Sequence, residues 1–153
     1  MAGVVSKILV FSADHGGIDL KNKLVAHAEA LGHEVVDVTR TTGESVDYPD
    51  EVSAAVGVFL KKQADFLILV CGSGVGVSIA ANRHHKIRAV LTDNPYTAAL
   101  ARAHNHANCL CLGQRLTGED LAKAIMDSFL SGQPDLSERH TRRVHKLEEP
   151  CQI

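Results

Sequence analysis

Five short apolar runs alternate with segments of helical periodicity, and this alternation restricts the fold more than any other feature of the chain. The runs, which we interpret as strands, span residues 8–11, 34–38, 66–70, 88–91 and 108–112. The third run is apolar throughout, as in a strand that is buried on both faces. Strands that alternate with helices indicate a parallel sheet. The sequence therefore predicts a Rossmann-like α/β fold, a three-layer doubly wound sheet of five mainly parallel strands with helices on both faces.

The 153 residues are expected to form a single domain, because no repeat, low-complexity tract or linker interrupts the alternation. Hydrophobic residues make up 45% and charged residues 22%, which is enough apolar side chain to bury a core. A basic segment at about 135–146 is predicted to be helical. Residues 147–153 are expected to form a loose tail.

Composition also restricts the partners. The formal net charge is -2 and aromatic residues make up 4%, whereas a nucleic-acid surface needs a basic face and stacking rings. A small anionic ligand remains compatible with this charge. No apolar run approaches the roughly 18 residues of a spanning helix, and the first run is too short for a secretory signal. We therefore expect a cytoplasmic protein with reduced thiols that binds neither nucleic acid nor membrane.

Chemically versatile residues follow the predicted strands. In open parallel sheets, ligands bind beyond the carboxyl ends of the strands, so the residues directly after each run are the informative ones. These residues are Asp14 and His15, Cys71, Thr92 and Asp93, and Gly113, Gln114 and Arg115. Acidic, basic, thiol and cationic groups are thus predicted to meet at one edge of the sheet.

A glycine-rich loop follows the third strand and leads into a predicted helix, with the sequence Gly72-Ser73-Gly74-Val75-Gly76. Its backbone N–H groups could bind a phosphate or an oxyanion at a helix N-terminus. The loop lacks the Gly-Lys-Ser/Thr of a P-loop, and Val77 stands where a Cys-x5-Arg phosphatase needs arginine. A Gly-x-Ser-x-Gly motif requires glycine at the position of Cys71. The glycine spacing also departs from a dinucleotide-binding fingerprint.

Cys71 has two interpretations. It could be a small core residue at the end of a strand, which is the usual fate of an isolated cysteine. Alternatively, its place before a glycine turn and a helix N-terminus favours a thiolate, which would suit a base or a nucleophile. Cys109 and Cys111 share one face of the fifth strand and are expected to pack, and no role is expected for Cys151.

Nine histidines invite a metal interpretation, but none has Cys or carboxylate partners at ligand spacing. We therefore predict no metal site. His15 and His104 are expected to lie on the side of the strand ends, where either could act as an acid or base near neutral pH.

Two arginines of the basic segment, Arg139 and Arg143, are four residues apart and would share one side of a helix. They could bind one phosphate with bidentate hydrogen bonds, and Arg115 would add to a local cationic pocket. A solvated helical face is the alternative interpretation of this segment.

Taken together, several motifs resemble the type B ribose-5-phosphate isomerase family, which also includes isomerases of related hexose phosphates. The motifs span nearly the whole chain and are Ala13-Asp14-His15-Gly16, Asp47-Tyr48-Pro49, Cys71-Gly72-Ser73-Gly74-Val75-Gly76, Ser78-Ile79-Ala80-Ala81-Asn82, Arg88-Ala89-Val90, His104-Asn105 and Arg139-His140-x-x-Arg143. Three positions depart from the family pattern: Ala13 replaces a cysteine, Ser73 a threonine, and His106 a small or acidic residue.

This resemblance implies interconversion of ribose 5-phosphate and ribulose 5-phosphate through a cis-enediolate, with no metal and no redox cofactor, in the non-oxidative pentose phosphate pathway. It implies that Cys71 is the base that moves the proton between C2 and C1. It further implies that His104 assists opening of the furanose ring, and that Asp14 holds sugar hydroxyls or assists this step. The amides of the glycine loop, together with Ser73, would stabilise the enediolate.

The resemblance also implies a substrate-binding set and an assembly. Phosphate would be bound by His15, Arg115, Arg139 and Arg143. The sugar would be lined by Asn105, Tyr48 and His140. A homodimer, or a dimer of dimers, with sites shared between subunits is expected.

Two other functions compete with this one. An isomerase of a 6-phosphohexose, such as allose 6-phosphate or galactose 6-phosphate, would use the same residues. A nucleotide-binding regulatory module of flavodoxin-like shape would use the glycine loop and Arg115, with Cys71 as packing, but it would leave Asp14 and His104 without a role.

Overall fold

A computed structural model of the protein describes residues 4–150. The strands in this range are β1 (Ile8–Ala13), β2 (Glu34–Asp37), β3 (Phe66–Cys71), β4 (Ala89–Leu91) and β5 (Cys109–Gly113). The helices are α1 (Ile18–Ala30), α2 (Tyr48–Lys62), α3 (Val75–Asn82), α4 (Pro95–Asn105), α5 (Glu119–Ser131) and α6 (Glu138–Glu148). No helix in the described range is long and apolar enough to cross a bilayer.

The strands form one sheet in the order β2-β1-β3-β5-β4, and every pair of neighbours is parallel. The predicted doubly wound α/β fold is therefore confirmed. The chain moves from β1 to β2 on one side and then crosses back to β3 on the other side of β1. This reversal creates a crevice between the carboxyl ends of β1 and β3, which is where such sheets bind ligands.

Helices cover both faces of the sheet. Side chains of α1, α4 and α5 pack with alternate residues of β1 and β3, such as Phe11 and Ile68, in one core cluster. Side chains of α2 and α3 pack with the intervening residues, such as Val10 and Leu67, in a second cluster. The central strand β3 is buried at all six positions because both of its faces carry helices.

The termini of several elements differ from the sequence-based boundaries. The basic segment forms α6, which begins at Glu138 and continues to Glu148, so the first two residues of the expected tail are helical. Residues 151–153, and Cys151 with them, lie outside the described range. Helix α2 begins at Tyr48, with Pro49 in its first turn, where the missing N–H of proline leaves no helical hydrogen bond unmade.

Candidate active site

The predicted site residues lie in two separate groups. The first group surrounds the carboxyl ends of β1, β3 and β5, and we call it the strand-end cluster: Asp14, His15, Tyr48, Cys71, Gly72, Ser73, Gly74, Val75, Gly76 and Arg115. The second group lies at the end of α4 and along α6, and we call it the helix-end cluster: His104, Asn105, Arg139, His140 and Arg143.

The loop after β1 lies against the end of β3. Asp14 is 7% exposed, and its Oδ1 accepts a hydrogen bond from the N–H of Gly16 at 2.8 Å. A Cβ atom at Gly17 would stand 2.4 Å from the carbonyl oxygen of Val70, so only glycine allows this approach. The Asp14 carboxylate is thereby fixed beside the glycine loop.

The Cys71 thiol lies at the start of α3. The residue is 5% exposed, and its Sγ accepts a hydrogen bond from the backbone N–H of Gly74 at 3.1 Å. Gly74 has a φ of 78°, a left-handed conformation that glycine adopts without strain, and it caps the N-terminus of α3. A backbone donor and a helix N-terminus both stabilise a negative charge on sulfur. This geometry suits a thiolate base.

The glycine loop is packed tightly against the end of β5. A Cβ atom at Gly113 would lie 2.5 Å from the carbonyl carbon and oxygen of Ser73, so the last residue of β5 has room only for hydrogen. The Ser73 hydroxyl is exposed and accepts a hydrogen bond from the N–H of Val75 at 3.2 Å. The first N–H groups of a helix lack intrahelical partners. At α3, those of Gly74 and Val75 are bonded to Cys71 Sγ and Ser73 Oγ, whereas those of Gly76 and Val77 have no partner among the described residues.

Arg115 lies on the far side of the same loop. Its backbone N–H donates to the carbonyl of Gly72 at 2.9 Å, and its guanidinium approaches so closely that a Cβ atom at Gly72 would be 3.4 Å from Nε. The side chain is exposed, so its positive charge is available to an anion bound at the loop.

His15 and Tyr48 close the other side of the strand-end cluster. The Nδ1 atom of His15 accepts the N–H of Val46 at 3.2 Å, so in the neutral ring the proton is on Nε2, which becomes a donor. The Tyr48 ring lies over the glycine loop, since a Cβ atom at Gly76 would be 2.8 Å from its Cζ. Both residues therefore border the crevice. His15 was expected there from its place after the first strand, and Tyr48 from the family resemblance.

His104 lies at the opposite end of the sheet, and its expected position on the strand-end side is wrong. Helix α4 starts beyond the carboxyl end of β4, and its 11 residues carry the chain back by about 16 Å. It ends next to the start of β5, where the N–H of Asn108 donates to the carbonyl of Arg88. His104 and Asn105 are thus separated from Cys71 of the same chain by about the length of a strand.

Two histidine rings stack in the helix-end cluster. The rings of His104 and His140 are parallel within 3°, with centroids 4.5 Å apart. His140 is 6% exposed, and burial lowers the pKa of its imidazole. Its Nε2 lies 3.5 Å from a carboxylate oxygen of Asp135, close enough for ionic attraction but without the alignment of a hydrogen bond.

The arginines of α6 differ in their partners. Arg142 pairs with Glu138 one turn earlier. Arg139 and Arg143 are exposed, and neither forms an ion pair with another residue in the range 4–150. Two unpaired guanidinium groups one turn apart can bind an anion such as phosphate.

The part of the chain that the structure describes contains no group of three or more His, Cys, Asp or Glu residues that could hold a metal ion. One contributor to the strand-end cluster was missed by the sequence analysis: the amide of Val46, which no side-chain pattern reveals. Gly113 was named there among the residues that follow the predicted strands, but its close packing against Ser73 was not foreseen.

A buried thiol beside a glycine loop, at the crevice of a doubly wound sheet, is typical of an α/β enzyme with a small-molecule site. The profile of the ribose/galactose isomerase family matches residues 9–147. The chain therefore belongs to the ribose/galactose isomerase family.

Individual relatives agree with this assignment. The chain is 42% identical over 141 residues to ribose-5-phosphate isomerase B of Escherichia coli, covering 92% of this chain and 94% of that protein. The crystal structure of a ribose 5-phosphate isomerase from Thermotoga maritima superimposes with a TM-score of 0.90 at 45% identity, covering 94% and 99% of the two chains. Ribose 5-phosphate isomerase B from Anaplasma phagocytophilum gives a TM-score of 0.86 at 41% identity, covering 94% and 97%. The resemblance to type B ribose-5-phosphate isomerases is thus confirmed.

Proposed function

We propose that this protein interconverts D-ribose 5-phosphate and D-ribulose 5-phosphate, as part of the non-oxidative pentose phosphate pathway. The observation that carries the proposal is the Cys71 thiol, which accepts the Gly74 N–H at 3.1 Å beneath the start of α3. A base fixed next to backbone donors is what an enediolate mechanism needs, because proton removal from C2 creates negative charge on the neighbouring oxygens. The names of the relatives described above support the same substrate.

In the proposed mechanism, the Cys71 thiolate removes the proton from C2 of the open-chain aldose. The electron pair of that C–H bond forms the C1–C2 double bond of a cis-enediolate, and the carbonyl oxygen at C1 takes up the negative charge. The thiol then returns the proton to C1. The proton of the C2 hydroxyl passes to the negatively charged C1 oxygen, so that C1 becomes the CH2OH group and C2 the carbonyl of the ketose. The N–H groups of the glycine loop and the Ser73 hydroxyl stabilise the charge, and losing one such donor costs about 3 kcal/mol of barrier.

The remaining site residues open the ring and bind the phosphate. His104 acts as acid and base in opening the furanose, and Asp14 holds sugar hydroxyls or assists this opening. Phosphate is bound by the exposed cations Arg115, Arg139 and Arg143 and by the Nε2 donor of His15. The sugar is lined by Tyr48, Asn105 and His140.

The separation of the two clusters favours a site shared between subunits. A pentose phosphate is shorter than the roughly 16 Å that α4 spans, so one subunit's His104 cannot act on a substrate at its own Cys71. The chain also exposes apolar side chains around the strand-end cluster, namely Val75, Ile79, Leu91 and Leu116. We therefore propose a homodimer, or a dimer of dimers, in which the helix-end cluster of one subunit completes the strand-end cluster of the other.

Subunit complementation tests this arrangement directly. Cys71→Ala and His104→Asn chains with different tags are co-expressed, and the mixed dimer is isolated by both tags. A shared site leaves one of its two sites intact, so we expect about half of the wild-type activity from two inactive parents. A mixed dimer as inactive as its parents would place both residues in the same subunit's site. A dimer of wild-type and Cys71→Ala chains is the control, because it retains one intact site in either arrangement.

The substrate is tested by following ketose formation from ribose 5-phosphate, allose 6-phosphate and galactose 6-phosphate without added metal or nucleotide. We expect the highest kcat/KM on the pentose. A 6-phosphohexose is the second candidate, because the matched family profile covers both ribose and galactose isomerases. Turnover of a hexose phosphate without turnover of ribose 5-phosphate would overturn the proposed substrate.

A further inference from the structure

Helix α6 carries both unpaired arginines but has little core of its own. Of its 11 residues, His140 and Val144 are the ones buried within the described structure. Its other side chains are charged, exposed or only partly covered. Two buried side chains allow a helix to slide or rotate, so additional contacts must fix its position.

The C-terminal end of α6 is held by one carboxylate. Glu148 pairs with the Arg88 guanidinium, accepts the N–H of Lys86 at 3.2 Å and lies 3.6 Å from the Nδ1 of His85. The three partners belong to the segment between α3 and β4. The side chains of Glu148 and Arg88 are 28% and 23% exposed, so their pairing is screened less by water than a surface ion pair.

The same network reaches the end of α4. The Nε atom of Arg88 donates to the carbonyl of His106 at 3.0 Å, directly after α4 ends. The His106 ring bonds through Nε2 to the carbonyl of Asp135 at 2.9 Å, just before α6 begins. The end of α4 is therefore connected to both ends of α6, and Glu148 provides the connection at the C-terminal end.

We propose that Glu148 is a positioning residue: through Arg88 it fixes α6 against the end of α4, and so sets where Arg139 and Arg143 stand relative to His104. This inference rests on the proposed function of those arginines in phosphate binding. Glu148 itself does not contact substrate, and its effect is transmitted by the helix that it holds.

The test is Glu148→Gln, which removes the negative charge and preserves the shape of the side chain. We expect KM for ribose 5-phosphate to rise about 3- to 10-fold, and the inhibition constant of inorganic phosphate to rise by the same factor. The kcat should stay within about twofold, because phosphate is bound equally in ground and transition states. Glu138→Gln is the matched control: it makes the same change on the same helix and breaks only the exposed pair with Arg142.

Two further measurements separate this inference from a general loss of stability. If Glu148 acts through Arg88, the double variant Arg88→Gln/Glu148→Gln will have the same KM as Arg88→Gln alone. Amide hydrogen exchange should accelerate across residues 138–148 in Glu148→Gln and stay unchanged across α4.

Each failure has a distinct signature. Exchange at wild-type rates in Glu148→Gln would overturn the role of Glu148 whatever the substrate is. If Glu148→Gln had a lower melting temperature but unchanged KM and phosphate inhibition, Glu148 would be only a structural contact. This result would also overturn its positioning role. A wild-type protein without activity on ribose 5-phosphate would instead contradict the proposed function, while hydrogen exchange would still test how α6 is held.

Discussion

The strand-end cluster is held in place mainly by backbone, whereas the helix-end cluster is held by side chains. Gly17, Gly74 and Gly113 bring the loops of the first cluster so close together that a Cβ atom would collide with neighbouring backbone. The second cluster depends on a histidine stack and on polar contacts around α6. The difference suits the proposed roles of Cys71 and of the two arginines on α6, because a base that moves a proton between two carbon atoms needs fixed distances, whereas cations that bind phosphate tolerate some adjustment.

The largest effect is expected when the thiol of the strand-end cluster is removed. Cys71→Ala should lower kcat about a hundred- to ten-thousand-fold, because the proton on C2 then has no base, and it should leave KM almost unchanged. Steady-state kinetics on ribose 5-phosphate measure both. Cys111→Ala is the control, since Cys111 is a fully buried thiol on the neighbouring strand. This variant should keep the wild-type kcat. Near-normal turnover of Cys71→Ala would rule out the thiolate mechanism.

The next effect concerns the helix-end cluster. Arg139→Ala should raise KM about 10- to 100-fold with a smaller change in kcat, because a charged hydrogen bond to phosphate is lost in ground and transition states alike. Arg142→Ala, on the same helix, should leave KM unchanged because Arg142 is already paired with Glu138. Equal effects of the two substitutions would show that α6 is merely a solvated face.

The backbone packing of the strand-end cluster gives a third contrast. Gly113→Ala should lower the free energy of unfolding by about 2 kcal/mol and also reduce kcat, because the new methyl group meets Ser73 backbone at 2.5 Å. Gly57→Ala is the matched control in α2, where a Cβ atom has no neighbour within 4 Å among the described residues. It should stabilise the protein by about 0.5–1 kcal/mol, as alanine does in helices. Urea titrations of both variants and the wild type measure these changes in the free energy of unfolding.

The smallest effect is a pH dependence of stability. Burial lowers the pKa of His140 and of His33 below the ordinary value of 6.5, so the unfolded chain binds more protons than the folded one below that pH. The free energy of unfolding should therefore decline as pH falls below about 6.5, and His140→Asn should flatten this slope. An unchanged slope in the variant would mean that protonation of His140 is not coupled to folding.

Sequence alone was sufficient for most of the strand-end cluster because its signals are local; Tyr48 was expected only from the family resemblance, and the Val46 amide was missed. An apolar run followed directly by glycines places Cys71 and the loop without knowledge of strand order. Arg115 follows another such run, and Asp14 and His15 follow the first. The carboxyl ends of parallel strands lie at the same edge of the sheet, so residues that directly follow different strands are close together in the fold.

The helix-end cluster was less predictable because its contacts are distant in sequence. Arg88 and Glu148 are 60 residues apart, and His106 and Asp135 are 29 apart, with no periodicity to connect them. The position of His104 was misjudged for a simpler reason. A helix that starts at the carboxyl edge ends at the opposite edge once it has three turns, and this follows from the rise per residue.

The strand order also has a consequence for synthesis of the chain. β5 is the last strand to be made among residues 4–150, yet it lies inside the sheet between β3 and β4. A nascent chain that ends at residue 108 therefore exposes one edge of β3 and leaves β4 without its partner strand. Such unpaired edges are where growing chains associate with one another. We therefore expect a nascent chain to be more prone to aggregation before residues 109–113 have emerged than after.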